Sequence, residues 1–297
     1  MQEKVTFPSG GLRLSAVIEF PNEYTRGQRR PAIIILHGFG SSKDSSNVKI
    51  PASMYTEWGY IVFRFDMRGC GDSEGEFGRV ICLDQVEDAR SAISYLMTRP
   101  EIDPSRIAVS GNSAGAAVAL YTGGVDSRPA AVISACGWGN GERKLRGQHP
   151  TPEAWERFMD MLERGRQHRA RTGKSLMVAR HEIVPIPPHL RGNLPANSVN
   201  EFPVETAQSI FDFLPERVLP SISPRPLLLL HAAHDSVTPS SESIELFRRA
   251  GQPVELHLFH GVDHFILSDA NPRVTECLRS WLAQYFPIAK RAAAERF

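Results

Sequence analysis

The fold is decided by the stretch IAVSGNSAGAAVAL, residues 107–120. The apolar run Ile107 to Ser110 predicts a strand, and the alanine-rich stretch Ser113 to Thr122 predicts a helix that follows it directly. Between them lies Gly-x-Ser-x-Gly, residues 111–115, whose glycines permit a sharp turn from strand to helix. Such a turn presents the Ser113 side chain at the carboxyl edge of a sheet and at the positive N-terminus of a helix. The pattern alone is common by chance, so the strand-to-helix context is what makes the signal strong.

Strands and helices alternate on either side of this turn. Apolar runs of strand length recur, and the middle ones are continuous, as in parallel strands covered on both faces. These runs are Leu12 to Phe20, Ala32 to Leu36, Ile61 to Phe65, Ile107 to Ser110, Ala131 to Ser134, Leu227 to Leu230 and Val254 to Phe259. One helical stretch between them keeps an apolar face formed by Leu83, Val86, Ala89, Ile93 and Leu96. The alternation predicts an α/β protein with a mostly parallel central sheet flanked by helices.

A serine hydroxyl is a poor nucleophile near neutral pH, so it needs a histidine base that is itself oriented by a carboxylate. Asp235 follows the predicted strand Leu227 to Leu230, and His264 follows the next predicted strand. Because the carboxyl ends of parallel strands meet at one edge of a sheet, Ser113, Asp235 and His264 are expected to meet there. Asp263 adjoins the histidine, but neighbours on a short loop rarely point into each other. Asp235 is therefore the favoured acid.

The loop His37-Gly38-Phe39-Gly40 follows the predicted strand that ends at Leu36. A loop at this point of such a sheet can complete an oxyanion hole, with one donor from the backbone N–H of Phe39 and a second from that of Ala114. The glycine-supported turn from Asp66 to Ser73 is interpreted as structural support for this loop rather than as catalytic.

The alternation of strands and helices stops over residues 138–220. We expect this segment to be an inserted cap, with residues 1–137 and 221–297 forming the core. Apolar residues repeat at helical spacing twice within it, and the proline-rich run from Val184 fits neither a central strand nor a helix. One repeat combines aromatic rings with a flexible thioether, so together with Trp138 it is predicted to bind an apolar substrate group, although plain packing is an equal alternative. Its members are Trp155, Phe158, Met159 and Leu162.

Charge and composition restrict the partners. Lys and Arg total 34 and Asp and Glu total 33, so no field of one sign points to nucleic acid or acidic lipid. We expect a small, neutral substrate with an apolar group. The chain start lacks the features of a signal peptide, and no run approaches the roughly eighteen apolar residues needed to cross a bilayer, which predicts a cytoplasmic protein. Nothing in the sequence indicates an oligomeric state.

The four cysteines, Cys70, Cys82, Cys136 and Cys277, contain no Cys-x-x-Cys pair, so we interpret them as reduced and mostly buried. His231 and His234 lack a third ligand nearby, which favours packing and a loop hydrogen bond over a metal site. No metal and no cofactor are expected.

The order of these motifs along the chain resembles that of the α/β-hydrolase superfamily. The resemblance is to its esterase, dienelactone-hydrolase and prolyl-oligopeptidase-like branch. The likeness covers roughly Leu12 to Phe286 and rests on the glycine loop, the Asp-x-Arg-Gly-x-Gly-x-Ser turn, the serine turn, the acid and the histidine. It implies a serine hydrolase that cleaves a small carboxylic ester through an acyl-enzyme. Amide or carbon–carbon bond hydrolysis and acyl transfer use the same residues and stay open, as does a non-catalytic binding protein.

Overall fold

The structure is a computed structural model that describes residues 1–268 and 271–289. In chain order its elements are β1 (Gln2–Ser9), β2 (Leu12–Glu19), β3 (Arg30–Leu36), α1 (Ser46–Glu57), β4 (Ile61–Phe65), α2 (Cys82–Met97), β5 (Ile102–Asn112), α3 (Ala114–Val125), β6 (Ala131–Ala135), α4 (Gly141–Gln148), α5 (Pro152–Thr172), β7 (Met177–Ala179), α6 (Arg180–Ile183), β8 (Glu201–Pro203), α7 (Val204–Asp212), β9 (Leu227–Ala232), α8 (Ser241–Arg249), β10 (Val254–Phe259) and α9 (Pro272–Tyr285). Short 3-10 helices cover Pro188–Asn193, Pro215–Arg217 and Leu219–Ile222.

Within the described residues the central sheet has eight strands in the order β1-β2-β4-β3-β5-β6-β9-β10. The β1–β2 and β2–β4 pairs are antiparallel, and the other pairs are parallel. All seven apolar runs singled out in the sequence coincide with strands of this sheet, apart from Phe20, which directly follows β2. The predicted α/β class and mostly parallel sheet are therefore confirmed.

The two faces of the sheet have separate hydrophobic layers. Along β3, Ile34 and Leu36 pack in the layer that contains α2 and α3, while Ile33 and Ile35 pack in the layer that contains α1 and α9. This alternation follows from the two-residue period of a strand. Because the helices cover the two faces of the sheet, its edge at the carboxyl ends of the parallel strands carries loops. The candidate site lies in these loops.

Three features differ from the sequence prediction or were missed by it. Strand β1 was missed because only its last residues alternate with buried positions and its start is polar. Helix α1 was missed because it contains Pro51 and a weak apolar pattern. The assignment of Leu83 to the buried face of α2 was wrong, because this side chain at the first turn is 56% exposed.

Residues 138–220 lie between β6 and β9 and form α4, α5, α7 and a small two-stranded sheet of β7 and β8. Helix α5 spans the predicted apolar stripe. The second predicted repeat was Val204, Ala207, Phe211 and Leu214, and α7 contains its first three members but ends before Leu214. Buried side chains of α5 and α7 join the layer that contains α2 and α3. The division into a core and a cap stays a prediction. No helix in the described part of the chain has the length and apolar character needed to cross a bilayer.

Candidate active site

Ser113 stands in the sharp turn between β5 and α3. Its backbone has φ 55° and ψ −120°, a conformation that residues with a side chain rarely adopt. Two close approaches explain the flanking glycines. A Cβ on Gly111 would lie 2.1 Å from the carbonyl oxygen of Gly115, and a Cβ on Gly115 would lie 2.4 Å from the carbonyl oxygens of Leu36 and His37. Only glycine fits at either position, so the turn is held tightly against the end of β3.

A continuous series of hydrogen bonds links Ser113 to His264 and Asp235. Ser113 Oγ lies 2.9 Å from His264 Nε2, and His264 Nδ1 lies 2.8 Å from Asp235 Oδ2. The Asp235 side chain is fully buried, and His264 is 2% exposed. A carboxylate only accepts hydrogen bonds, so the ring donates from Nδ1 and leaves Nε2 free to accept from the serine hydroxyl. The structure thus brings together the three residues selected from the sequence.

The Asp235 carboxylate is held by further donors. Its Oδ1 accepts from the backbone N–H groups of Val237 and Thr238 at 2.8 and 2.7 Å, and Nε2 of the buried His231 lies 3.2 Å from Oδ2. Burial alone would raise the pKa of Asp235. The attraction of His264, followed by hydrogen bonds from His231 and His264, outweighs burial and holds that pKa well below the usual range. The group therefore stays ionised.

His231 was expected to pack at the strand end and to make a loop hydrogen bond. The structure shows in addition that it contacts Asp235. Its Nε2 lies 3.0 Å from the carbonyl oxygen of Thr238, so this nitrogen donates, and its Nδ1 lies 2.6 Å from Ser243 Oγ. The ring therefore directs an N–H toward both the Thr238 carbonyl and Asp235. Its position four residues before the acid, at the end of a strand, was the signal for this role.

Asp263, the rejected alternative acid, faces away from the imidazole. Its Oδ1 accepts from the backbone N–H of Ser236 at 2.8 Å and from that of His264 at 2.7 Å, and its Oδ2 lies 3.2 Å from Nε2 of His189. These contacts fix the loop that carries the histidine, and none of them reaches the His264 ring.

Cys136 lies directly behind the acid. The residue directly follows β6 with φ 51°, is fully buried, and places a ligand atom within 4.8 Å of one on Asp235 and one on His264. These three atoms are near enough to hold a metal, but the aspartate and histidine already bond to each other. Burial and then the charge of Asp235 raise the thiol pKa well above its usual value, so the thiol stays neutral. Cys136 is buried as expected, and its contact with the acid was not foreseen.

The glycine loop after β3 offers backbone donors beside Ser113. In the described part of the chain, no acceptor is bonded to the N–H of Phe39 or of Ala114, the first residue of α3. His37 ties this loop to the turn after β4, because its Nδ1 donates to the carbonyl of Gly38 and its Nε2 accepts from the N–H of Met67. Burial lowers the pKa of His37, which keeps the ring neutral. This contact agrees with the structural role assigned to the turn.

The sequence analysis missed Arg180, which holds the same loop from the other side. Its guanidinium donates to the backbone carbonyls of Phe39, Gly40 and Val199 at 2.8, 2.9 and 2.8 Å. It lies 5.3 Å from the ring centroid of Phe39 and 5.4 Å from that of Phe202, and these two rings stack on each other. Burial lowers the pKa of Arg180 to about 10. Nothing near Arg180 in the sequence marks it, because its partners are backbone carbonyls and two of them are about 140 residues away.

The predicted substrate-binding residues differ in how deeply they are buried. Phe158 and Leu162 are each 2% exposed and Trp138 is 1% exposed, whereas Trp155 and Met159 are half-buried. The Trp155 ring stacks on that of Phe158 at 5.5 Å. None of these side chains bonds to Ser113 or His264 among the described residues. Their role in binding stays a prediction.

A cavity of about 370 Å³ lies where residues 138–220 meet the acid loop. Asp235, Val237 and Pro239 line one side, and Gln148 and the proline-rich segment 185–187 line the other. The side-chain amide of Gln148 bridges the two sides by donating to the Val237 carbonyl at 2.7 Å. The proline-rich segment thus approaches the site closely.

Comparison with known proteins identifies relatives over most of the chain. PA2218, an uncharacterised protein of Pseudomonas aeruginosa, is 28% identical over 292 residues, which cover 91% of this chain and 77% of that protein. Its crystal structure covers 96% of this chain and 94% of its own, with a TM-score of 0.80 and 25% identity. Acyltransferase drtE of Aspergillus calidoustus is 26% identical over 258 residues, which cover 81% and 82%.

The fold also resembles that of Est1E from Butyrivibrio proteoclasticus, solved with ferulic acid bound, with a TM-score of 0.68 and 16% identity over 95% of this chain and 98% of that one. At this identity the likeness concerns the fold alone. A family profile described as serine aminopeptidase, S33 matches residues 27–271. Since that match spans most of the chain and the fold agrees with it, the chain belongs to this family of α/β hydrolases.

Proposed function

We propose that this protein hydrolyses carboxylic esters through an acyl-enzyme formed on Ser113. The hydrogen bonds from Ser113 Oγ through His264 to Asp235 carry the proposal. His264 Nε2 accepts the hydroxyl proton while Oγ attacks the ester carbonyl carbon. Asp235 keeps the ring in the tautomer that has a free Nε2 and balances the positive charge that forms.

The negative charge that develops on the carbonyl oxygen needs donors. The unbonded N–H groups of Phe39 and Ala114 are suited to this task, and one such donor is worth about 3–4 kcal/mol in a comparable hydrolase. His264 then returns its proton to the leaving alcohol as the tetrahedral intermediate collapses. Water, activated by the same ring, attacks the acyl carbon, releases the acid and restores the Ser113 hydroxyl.

Replacing the nucleophile tests the proposal. Ser113→Ala should reduce turnover of 4-nitrophenyl acetate and butyrate by about 10⁶-fold, the size of the loss in a serine protease. It should also abolish labelling by a fluorophosphonate, with the circular dichroism spectrum unchanged. Ser94→Ala, on an exposed face of α2, is the matched control and should keep full activity. Retained turnover in rigorously purified Ser113→Ala would refute the assignment.

Acyl transfer is the second candidate, because the relative drtE is named an acyltransferase and covers 81% of this chain. In that reaction an alcohol or amine, instead of water, attacks the acyl-enzyme. Product analysis after adding graded concentrations of a primary alcohol distinguishes the two. Hydrolysis predicts mostly free acid, and transfer predicts that the new ester dominates at low alcohol concentration. An alanine 4-nitroanilide in the same assay tests the peptide activity that the family description names.

A further inference from the structure

Helix α4 carries a lysine that is almost completely buried. Lys144 is 4% exposed, and its Nζ lies 5.7 Å from the centroid of the Trp138 ring. Among residues 1–268 and 271–289, no acceptor is bonded to this Nζ. A lysine this deeply buried is almost always paired, because removing an ammonium group from water is costly. We therefore expect Lys144 to bind a ligand or to have another function.

The ionisable groups around Lys144 come from several elements. Cys82 at the start of α2, Glu242 on α8 and Asp235 after β9 each act on its charge. His149, at the end of α4, is in turn affected by the lysine. Burial lowers the pKa of Lys144 to about 7, and the attraction of these neighbours only partly opposes that shift.

None of these neighbours is free to balance the ammonium charge. The Glu242 carboxylate accepts from Arg143 at 2.6 and 2.9 Å and from the backbone N–H of Gly139. Asp235 is engaged by His264 and two backbone N–H groups. Burial raises the pKa of the Cys82 thiol to about 12, so that group is neutral. A negatively charged group of a bound ligand would balance the charge of the Lys144 ammonium group.

The groups around Lys144 follow strands that flank the strand of Ser113 in the sheet. Cys82 follows β4, and Asp235 follows β9, while β3, β5 and β6 lie between these strands. Ser113 follows β5, and Trp138 follows β6. Lys144 interacts with the charges of Cys82 and Asp235 and contacts the Trp138 ring, so it belongs to the same edge of the sheet as the turn that carries Ser113.

We propose that Lys144 forms a subsite for a carboxylate, so that the favoured substrates are esters whose acyl chain ends in an ionised carboxyl group. This inference rests on the proposed ester hydrolysis and departs from the neutral substrate expected from the sequence. The charged amine donates to the carboxylate, and the neutral amine above its pKa loses that attraction. Trp138 supplies an apolar wall for the methylene chain.

The test compares two esters that share one leaving group, mono-4-nitrophenyl adipate and its methyl ester, with the suberate pair for a longer reach. The ratio of their kcat/KM values cancels the pH dependence of the His264 base, because both substrates use it. Since kcat/KM reports the free enzyme, the ratio should be roughly ten-fold or more in favour of the charged ester at pH 6. It should then fall toward the ratio of uncharged pairs as the pH rises above 7, since the carboxylate stays ionised throughout while the lysine loses its charge.

Lys144→Met should bring the ratio close to that of uncharged pairs and remove its pH dependence. The variant should lose far less kcat/KM on the methyl ester than on the charged ester. Lys174→Met, an exposed lysine of the same segment, is the matched control and should retain the wild-type ratio. A ratio near one in the wild type, or equal losses on both esters in Lys144→Met, would overturn the subsite.

If the wild type hydrolyses neither ester, the proposed function fails and the subsite is judged by binding. Calorimetry of monomethyl adipate with Ser113→Ala should then show affinity that drops about ten-fold when Lys144→Met is added. Equal affinities, or no binding to either variant, would refute the subsite independently of the chemistry.

Discussion

Replacing Arg180 by methionine should slow the reaction without touching the reacting residues. The variant removes the donors to the carbonyls of Phe39 and Gly40, which hold the loop that carries the Phe39 N–H. Complete loss of one such oxyanion donor costs about 10²–10³ in kcat. Two restraints survive, because the Gly40 carbonyl still accepts from the Val199 N–H and the Phe39 ring still stacks on Phe202. We therefore expect kcat to fall by roughly 10- to 100-fold, a fraction of that full loss, with KM within about three-fold.

Steady-state kinetics with 4-nitrophenyl butyrate measures both constants, and Arg180→Lys, which keeps the charge but not the planar fork, should fall between wild type and Arg180→Met. Arg225→Met is the matched control, because Arg225 also donates to backbone carbonyls but does so between α3 and β9, on the segment after the last 3-10 helix. Both variants lose hydrogen bonds to carbonyls, so both should melt at lower temperature. An Arg180→Met enzyme with unchanged kcat, or an Arg225→Met enzyme with the same loss of kcat, would refute the reasoning.

Asp235→Asn should lower kcat by about 10⁴-fold, because the amide favours the wrong tautomer of His264, whereas Asp263→Asn should cost far less. The reverse order in purified variants would mean that the acid is misassigned. Phe158→Ala should lower the free energy of unfolding by about 3–5 kcal/mol, measured by urea denaturation, because the ring is 2% exposed and stacks on Trp155. Altered selectivity between short and bulky esters at an unchanged melting temperature would instead support the predicted binding role of this stripe.

The parts of the fold that were predictable are those whose signal is local. The buried parallel strand before Ser113 contains a continuous apolar run. The turn at Ser113 depends on glycines two residues away on either side, so a short sequence motif predicts it. The meeting of Ser113, Asp235 and His264 was predictable for a topological reason, since parallel strands end on one edge. Among residues 1–268 and 271–289, strand β1 pairs with β2 alone and is partly exposed, so its sequence lacks the apolar run that marks the others.

The parts of the site that were not predictable depend on contacts between distant segments. Arg180 acts on backbone carbonyls, which no side-chain motif encodes, and Lys144 is distinguished by its burial without a hydrogen-bond acceptor among the described residues. Burial has the same limit at Leu83. Helical spacing assigns this residue to a face of α2 but does not say whether the first turn of the helix is covered by other parts of the chain. Sequence periodicity therefore finds elements, whereas the environment of a charge has to come from the folded chain.

The two buried cations of residues 138–220 bear on what this segment is for. Burying a cation costs several kcal/mol, and an apolar residue of similar volume is often as stable or more stable in its place. Arg180 recovers part of that cost from three carbonyls, but Lys144 has no bonded partner in the described chain. Packing alone would therefore favour methionine at position 144, and Lys144→Met should match or exceed the wild type in melting temperature. A buried lysine that lowers stability is explained by the proposed carboxylate subsite. A clear fall in melting temperature would show instead that the amine supports the fold.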